Sequence, residues 1–248
     1  MTRTTTSLLL STAVLAATIG NAGATEFSAN VGVGAAHIQN HVKGEDDKNQ
    51  IFPYAELQYG MVTLNPDGLG LTTSLTPTSA LSFVLKLRES SFDESDNKVL
   101  SKLTKRDDTG ELMVNWVQMT PWADVSAFVS TDLMDKHGGY ELGFGVSRQI
   151  PMLGGVFIPQ AGIQYQSEKL VDYYYGVSQG ESSSTIGAYD GKGSMTANAS
   201  LTHIYKLSGG WHTATAMAYN YLGEGISDSS IVERDGYWMG SVSVFYQF

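Results

Sequence analysis

Apolar and polar residues alternate with a period of two along most of this chain. One face of each alternating segment is apolar or small, and the other is polar or rich in glycine. The clearest examples are Phe27–Ala35, Leu81–Leu87, Tyr140–Val146 and Gly240–Phe248. A period of two places successive side chains on opposite faces of a β-strand, whereas a helix repeats every three to four residues. The pattern therefore predicts an all-β fold.

The connections between these segments alternate between short and long. The short ones carry turn residues, at Thr76-Pro77-Thr78, Thr120-Pro121, Ile150–Gly155 and Leu207–Gly210. The long ones are polar and acidic, at 37–50, 90–110, 167–194 and 223–236. A soluble sandwich has no reason to alternate its connections in this way. Short periplasmic turns and longer outer loops are typical of a transmembrane β-barrel.

Counting the segments predicts an antiparallel transmembrane barrel of about twelve strands, an even number as expected for a single-chain barrel. The strands are expected near 26–38, 51–59, 60–65, 68–76, 79–90, 110–120, 122–132, 139–150, 155–166, 195–207, 210–222 and 236–248. No segment predicts a convincing amphipathic helix. The third and fourth strands are short, and Asn65-Pro66-Asp67-Gly68 is the turn between them. Ten strands is the alternative if this hairpin does not span the membrane.

The N-terminus predicts export from the cytoplasm. Arg3 precedes an apolar run from Leu8 to Ile19, and Ala22-Gly23-Ala24 provides the small residues of a cleavage site. This run is too short and too rich in Thr and Ser for a transmembrane anchor. We expect residues 1–24 to be a signal peptide and residues 25–248 to form the barrel.

The C-terminal strand ends in aromatic residues. Tyr246 and Phe248 lie on its apolar face, and a terminal aromatic resembles the signal that outer-membrane assembly machinery recognises. Further aromatics lie near the predicted strand ends, as in the aromatic girdles of such barrels. They are Trp122, Tyr140, Trp211, Tyr219, Tyr221, Tyr237 and Trp238. Together these features predict a protein of the bacterial outer membrane, in contact with its lipid and lipopolysaccharide.

Composition narrows the function classes. The 248 residues carry a formal charge of −10 and no cysteine. Without a basic stripe, the chain does not suggest nucleic-acid binding. Without cysteine it has no disulfide framework, thiol nucleophile or Cys-type zinc site.

The alternation also predicts which polar residues line the lumen, since a charge facing lipid is costly. These residues are Glu56, Lys86, Arg88, Asn115, Asp124, Glu141, Asn198 and Asn220. Their mixed charges allow two interpretations. They could line a narrow pore and set a transverse field, or pair across the lumen and close it. A barrel of about twelve strands is intermediate in size, so size does not decide.

Candidate catalytic and metal-binding residues are few. The best dyad is His212 with Ser200 or Thr202, but no Gly-x-Ser-x-Gly motif is present. An outer-rim protease would need a second pair opposite Asp132, Asp135 and His137. The His37 and His41 pair with its following acidic run lies in a loop, where that spacing does not align metal ligands. We therefore expect no catalytic residue, metal or cofactor.

A resemblance to a known family lies in the third quarter of the chain. Asp172–Ser178 (DYYYGVS), followed by Ala188–Gly193 (AYDGKG), resembles the loop signature of the MipA/OmpV family. Gly68–Leu71 is similar to the family's Gly-Leu-Gly strand, and Gly225–Val232 to its penultimate loop. In that last loop Ser230 or Ile231 stands where proline is usual. The similarity covers the whole predicted mature chain.

The resemblance implies a non-enzymatic outer-membrane barrel that acts as a scaffold. In the best-known description of the family, the barrel holds a lytic transglycosylase, MltA, together with a murein synthase. Other relatives are described as porins or adhesins, so a small-solute channel and a surface adhesin are the alternatives. The signature loop offers aromatic candidates for contacting a ligand or partner, although it could also fold inward as a plug: Tyr173, Tyr174, Tyr175, Tyr189 and Asp190.

Overall fold

The alternating segments form one closed antiparallel sheet in a computed structural model, which describes residues 27–248. The expected signal peptide, residues 1–24, lies outside the described residues. In chain order the strands are β1 (Phe27–Ile38), β2 (Lys48–Tyr59), β3 (Val62–Asn65), β4 (Gly68–Thr76), β5 (Ser79–Arg88), β6 (Thr109–Met119), β7 (Asp124–Asp132), β8 (Tyr140–Ser147), β9 (Ile150–Met152), β10 (Gly155–Gln166), β11 (Ser194–Lys206), β12 (Trp211–Tyr221) and β13 (Gly236–Gln247). Strand β1 pairs with β13, for example Val33 with Val244, and this ladder closes the barrel.

The barrel has twelve strand positions, because β8 and β9 share one of them. Strand β8 pairs with Gln160–Gln166 of β10, and β9 pairs with Gly155–Phe157 of the same strand. Strand β9 thus continues β8 after an interruption at Arg148 and Gln149. The expectation of twelve strands is confirmed. However, the predicted 139–150 segment is broken, and Ile150 belongs to the next strand piece and not to a turn.

The two faces of each strand are divided between the outside and the inside of the barrel as the alternation predicted. Outward positions carry exposed apolar side chains, such as Val31, Phe83 and Leu85, while their chain neighbours Ser82 and Val84 are buried inside. A belt of apolar side chains lowers the free energy of a barrel in hydrocarbon, and the closed ladder satisfies the backbone groups. Within residues 27–248, no helix has the length and hydropathy needed to cross a membrane.

The two ends of the barrel differ in their connections. At one end, which we call the turn end, the strands are joined at 60–61, 77–78, 120–123, 153–154 and 207–210. The opposite end, the loop end, carries the tight turn 66–67 and five longer segments. We call these five segments the loop cap; they are 39–47, 89–108, 133–139, 167–193 and 222–235.

Two helices lie in the loop cap, where the sequence pattern predicted none. Helix α1 (Glu168–Tyr175) and helix α2 (Glu224–Ser227) follow β10 and β12. In α1, Leu170, Val171 and Tyr174 are buried. Because residues four apart share a helix face, the eight-residue segment packs one side inward. The sequence pattern did not predict α1, because eight residues contain only about two helical turns.

Inside the barrel, two aromatic rings lie against glycines of the neighbouring strand. Phe52 covers Gly34 of β1, and Phe128 covers Gly143 of β8. A Cβ at either glycine would overlap the ring. Beside Phe52, the Tyr54 and Phe245 rings stack with centroids 4.8 Å apart. The rings of Phe52, Tyr54 and Phe245 fill the lumen next to β2 and β13.

Candidate functional site: a capped cavity

The loop cap has a hydrophobic core of its own. Its members come from different loops and are almost completely buried: Val42, Phe92, Leu100, Leu103, Val171, Val177, Ile186, Leu222, Ile226, Ile231 and Val232. Tyr175, Tyr189 and Tyr237 pack against this core. Each loop contributes only a few apolar residues, so none could form a core alone. The long loops therefore stabilise one another and close the loop end.

Polar contacts also join the loops of the cap. The guanidinium of Arg106 donates to Glu181 (Nη1–Oε1 3.2 Å), and Ser229 Oγ donates to the carbonyl of Tyr175 (2.6 Å). Burial alone would raise the pKa of Glu181. The Thr104 and Ser178 backbone N–H groups that donate to its carboxylate outweigh burial and lower the pKa to about 2. The carboxylate thus remains charged and holds loops 89–108 and 167–193 together.

A buried charged cluster lies directly below the cap, on the wall formed by β5 to β8. Arg88 Nε donates to Glu111 Oε1 (2.5 Å), and Arg88 Nη2 donates to Glu141. Lys86 Nζ lies 3.1 Å from Glu111 Oε2 and 3.9 Å from Glu141 Oε2. Ser130 Oγ adds a hydrogen bond to Glu111 (3.0 Å). The two cations and two carboxylates balance, so the cluster needs no counter-ion from outside.

His137 connects this cluster to the cap. Its Nδ1 accepts a hydrogen bond from the backbone N–H of Gly139 (2.9 Å), which leaves Nε2 to donate to Glu111 Oε1 (3.2 Å). Asp132 accepts from the backbone N–H groups of His137 (2.7 Å), Gly138 and Met134. Both side chains therefore hold the 133–139 loop in place, and their arrangement is not that of a catalytic pair.

A cavity of about 470 Å³ lies between the cap and the barrel wall. From the cap, Leu170, Tyr174 and Ile226 reach its upper side. The volume is within the usual range for small-molecule sites. Its wall is of mixed character, with the charged cluster near the cap and apolar, inward-facing side chains farther down.

Most of the predicted lumenal residues line this cavity. They are Lys86, Arg88, Asn115, Asp124, Glu141, Asn198 and Asn220. Glu56 lies instead near the filled side of the lumen, where Asn30 Nδ2 donates to its carboxylate (3.0 Å). The predicted charges do not oppose one another across the lumen. Lys86 and Arg88 pair with carboxylates on neighbouring strands of one wall, an arrangement that neither sequence interpretation described.

Two important residues of the cluster, Glu111 and His137, were not among the predicted lumenal residues. Glu111 could have been found, because it shares the inward parity of Asn115 on the same predicted strand. The role of His137 could not have been found from the sequence, since its loop bends back to the wall only through the hydrogen bonds to Asp132.

The signature-loop tyrosines take different positions. Tyr174 is buried under the cap, and the Tyr175 hydroxyl lies 3.1 Å from His41 Nε2. The Tyr173 hydroxyl accepts from the Asp107 backbone N–H (2.9 Å), and the Tyr189 hydroxyl donates to the Gly225 carbonyl (3.0 Å). The loop therefore packs inward. A further candidate, Asp190, is exposed.

The other candidate groupings are not brought together. His37 is exposed and lies 2.9 Å from Asn49, whereas His41 is buried and stacks on Tyr237, so they form no metal site. His212 pairs in register with Lys206, several residues along the strand from Ser200 and Thr202. Within the described chain, no group of three or more His, Asp or Glu side chains is arranged to hold a metal.

The terminal aromatics lie at the seam that closes the barrel. Tyr246 pairs with Val31 of β1 and with Trp211 of β12, and its ring contacts that of Trp211 with centroids 5.4 Å apart. The Phe248 side chain is 71% exposed on the outside.

A closed antiparallel barrel with an apolar belt, short turns at one end and long loops at the other is an outer-membrane β-barrel. The sequence profile of the family described as MltA-interacting protein MipA matches residues 31–248, and the chain belongs to this family.

Relatives of the chain are named as outer membrane or interacting proteins. YiaT of Escherichia coli (strain K12), an outer membrane protein by name, is 27% identical over 92% of this chain and 94% of its own length. Outer membrane protein OmpV of Vibrio cholerae is 27% identical over 63% of this chain and 61% of its length. The MltA-interacting protein of E. coli (strain K12) is 25% identical over 97% of this chain and 98% of its own length. This protein is accordingly an outer-membrane protein.

Proposed function

We propose that this protein is a non-enzymatic scaffold that docks a murein-remodelling enzyme at its turn end. By the orientation usual for such barrels, short turns face the periplasm, where murein lies. The name of the MltA-interacting relative supports a lytic transglycosylase as the class of partner. A murein synthase is the second expected partner, from the family resemblance.

The observation that carries the proposal is the exposure of apolar side chains at the tips of the turns. Met61, Trp122 and Leu153 are 54%, 78% and 74% exposed at three different turns. Turns facing water are normally polar. Exposed aromatic and aliphatic side chains surrounded by polar residues are typical of docking sites, and Trp is enriched among residues that dominate binding.

The backbone of Leu153 strengthens this interpretation. Its φ is +53°, in the left-handed region that favours glycine or asparagine. A leucine there costs free energy that a glycine would not. The exposed side chain gains no packing within the barrel to offset this cost, which favours a contact outside it.

The closed loop end argues against an open porin. The cap covers the lumen, and the charges expected to line a pore are neutralised by neighbours on one wall. The turns are small, so we expect an interface below about 1,200 Å², a size typical of transient complexes.

The test is binding of a lytic transglycosylase to the folded full-length barrel in lipid nanodiscs. We expect saturable binding, and at least about tenfold weaker binding by the variant carrying Met61→Ser, Trp122→Ser and Leu153→Asn, since hot-spot truncation costs ~2 kcal/mol or more.

The matched control changes similar exposed side chains at the loop end, by Leu133→Asn, Met134→Ser and Trp238→Ser. This variant should bind like the wild type. The scaffold role is rejected if the folded wild type binds no transglycosylase. Equal loss of binding in both variants would reject the turn end as the docking site.

A further inference from the structure

Uncharged polar side chains form a belt on the wall of the capped cavity. We call them the polar belt; its members all line the cavity and are Asn115, Gln160, Gln164, Thr196, Asn198 and Asn220. The sheet brings neighbouring members together, because Gln164 is in register with Thr196, and Asn198 with Asn220. Directly opposite residues on neighbouring antiparallel strands have Cβ atoms about 4.5–5.5 Å apart. The cavity wall therefore presents adjoining amide and hydroxyl groups across β10, β11 and β12.

The barrel leaves hydrogen-bonding groups of this wall unused. Thr196 is 5% exposed, and its Oγ1 has no hydrogen-bond partner within the described chain. Tyr174, which lines the cavity from the cap, is 4% exposed and its hydroxyl is equally unpartnered among those residues. The side-chain amides of Asn115, Gln164 and Asn198 also form no hydrogen bond with any of residues 27–248. Since buried polar groups in native proteins are normally hydrogen-bonded, these groups point to a solute that pairs with them.

The charges around the cavity favour a solute that is not an anion. The charged cluster is balanced by its own ion pairs. Among the other lining residues, the carboxylates of Asp67, Glu89 and Asp124 outnumber the single lysine, Lys48. The polar belt itself is neutral, and each amide offers both a donor and an acceptor. A neutral solute with many hydroxyl groups matches the belt, because each hydroxyl also donates and accepts.

Aromatic rings lie next to the polar belt. Phe128 is in register with Asn115, and Tyr237 is in register with Asn220. Both rings line the cavity. Small-molecule sites typically combine apolar and aromatic walls with a few polar groups that fix the orientation of the ligand. A sugar ring has the matching surface, since its hydroxyl groups surround a face of C–H groups that can pack on an aromatic ring.

The cavity extends from the loop cap to the turn end. Asp124 at the start of β7, Ser147 at the end of β8 and the following Gln149 all line it. The turn-end connections have two to four residues and are too short to fold over the lumen, whereas the cap covers the other end. The volume of about 470 Å³ lies within the range of roughly 300–1,000 Å³ that holds drug-sized molecules. A solute of one or two sugar rings therefore fits and enters from the turn end.

We propose that the capped cavity binds a neutral saccharide of one or two rings. The amides of Gln164 and Asn198 pair with its hydroxyl groups, and the ring of Phe128 packs against its C–H face. The three side chains proposed for docking at the turn tips do not line the cavity. Either proposal can therefore fail without the other.

The ligand class is tested by isothermal titration calorimetry on the full-length barrel in phosphatidylcholine nanodiscs prepared without sugar-based detergents. The probes are glucose, maltose and N-acetylglucosamine, with glucose 6-phosphate and glucosamine as charged comparisons. We expect saturable binding of at least one neutral sugar, and binding of glucose 6-phosphate at least about tenfold weaker than that, because the carboxylates repel an anion. Absence of binding by all three neutral sugars would overturn the proposal. Binding confined to glucosamine would assign the cavity to organic cations and overturn it as well.

The site is tested with variants that keep the size of the side chain and remove its amide. Gln164→Met and Asn198→Leu should each weaken sugar binding about tenfold, the effect of losing a buried hydrogen bond. The matched control is Gln179→Met, which changes an exposed glutamine outside the cavity and should bind like the wild type. A heat-dependent gel shift checks that each barrel is folded, and either cavity variant suffices if the other does not fold. Wild-type affinity in the folded cavity variants, or an equal loss in the control, would overturn the site.

Discussion

The loop end and the turn end of this barrel use apolar residues in opposite ways. At the loop end, residues such as Leu100 and Ile226 are buried against other loops, and ion pairs join the same segments. At the turn end, Trp122 and Leu153 are exposed at the tips of short connections. Long loops have enough chain to meet one another, whereas two-residue to four-residue turns do not.

The two ends therefore differ in how much the burial of apolar side chains stabilises them. The loop end gains stability from burial, and it closes the lumen from outside. The turn end gains little from its apolar tips, and it leaves them available for a partner. A closed end and an exposed apolar end are what the proposed docking on the periplasmic side requires.

The largest expected effect is a loss of stability when the charged cluster that anchors the loop end to the wall is broken. Glu111→Gln removes a carboxylate that is 1% exposed and leaves Arg88 and Lys86 with Glu141 alone. Breaking a buried ion pair costs about 3–5 kcal/mol. We expect a loss of that size in the free energy of unfolding, measured with urea in micelles. Asp124→Asn should cost less than about 1 kcal/mol, and an equal loss would show that the cluster is not the anchor.

The second prediction compares one leucine at each end. Leu100→Ala leaves a cavity in the core of the cap and should reduce the free energy of unfolding by about 2–5 kcal/mol. Leu153→Gly removes an exposed side chain and relieves a positive φ, so stability should stay within about 1 kcal/mol. Thermal and urea unfolding measure both. Similar losses for the two leucines would contradict the contrast between the ends.

The third prediction concerns the pH dependence of the cap. Burial, with a smaller contribution from Lys48, lowers the pKa of His41 from its ordinary value of 6.5 to about 4. Between these pH values the unfolded chain binds a proton that the folded chain does not. Stability should therefore fall as the pH decreases from 6.5 to 4, by up to about 3 kcal/mol, and level off below.

Two variants isolate this effect. His41→Gln should remove most of the dependence in urea unfolding measured across that range. His37→Gln should retain it, because His37 is exposed. A slope that survives in His41→Gln would assign the dependence to another group.

Much of the fold could be predicted because its signals are local. Period-two alternation is visible within any strand, and Pro77, Pro121 and Gly209 mark turns through their own backbone preferences. The inward parity of Lys86 and Arg88 followed from the same alternation. The ion-pair partners of these two cations could not be predicted in this way, because Glu111 and Glu141 reach them only through the register of three neighbouring strands.

By itself, the sequence determined the strands, their faces and the alternation of short and long connections, since each depends on residues adjacent in the chain. Only the tertiary structure decided that the loops share one core and that the charges pair along one wall. The physical reason is that both depend on the tilt and register of the closed barrel. These bring together side chains such as His41 and Tyr175, which are 134 residues apart.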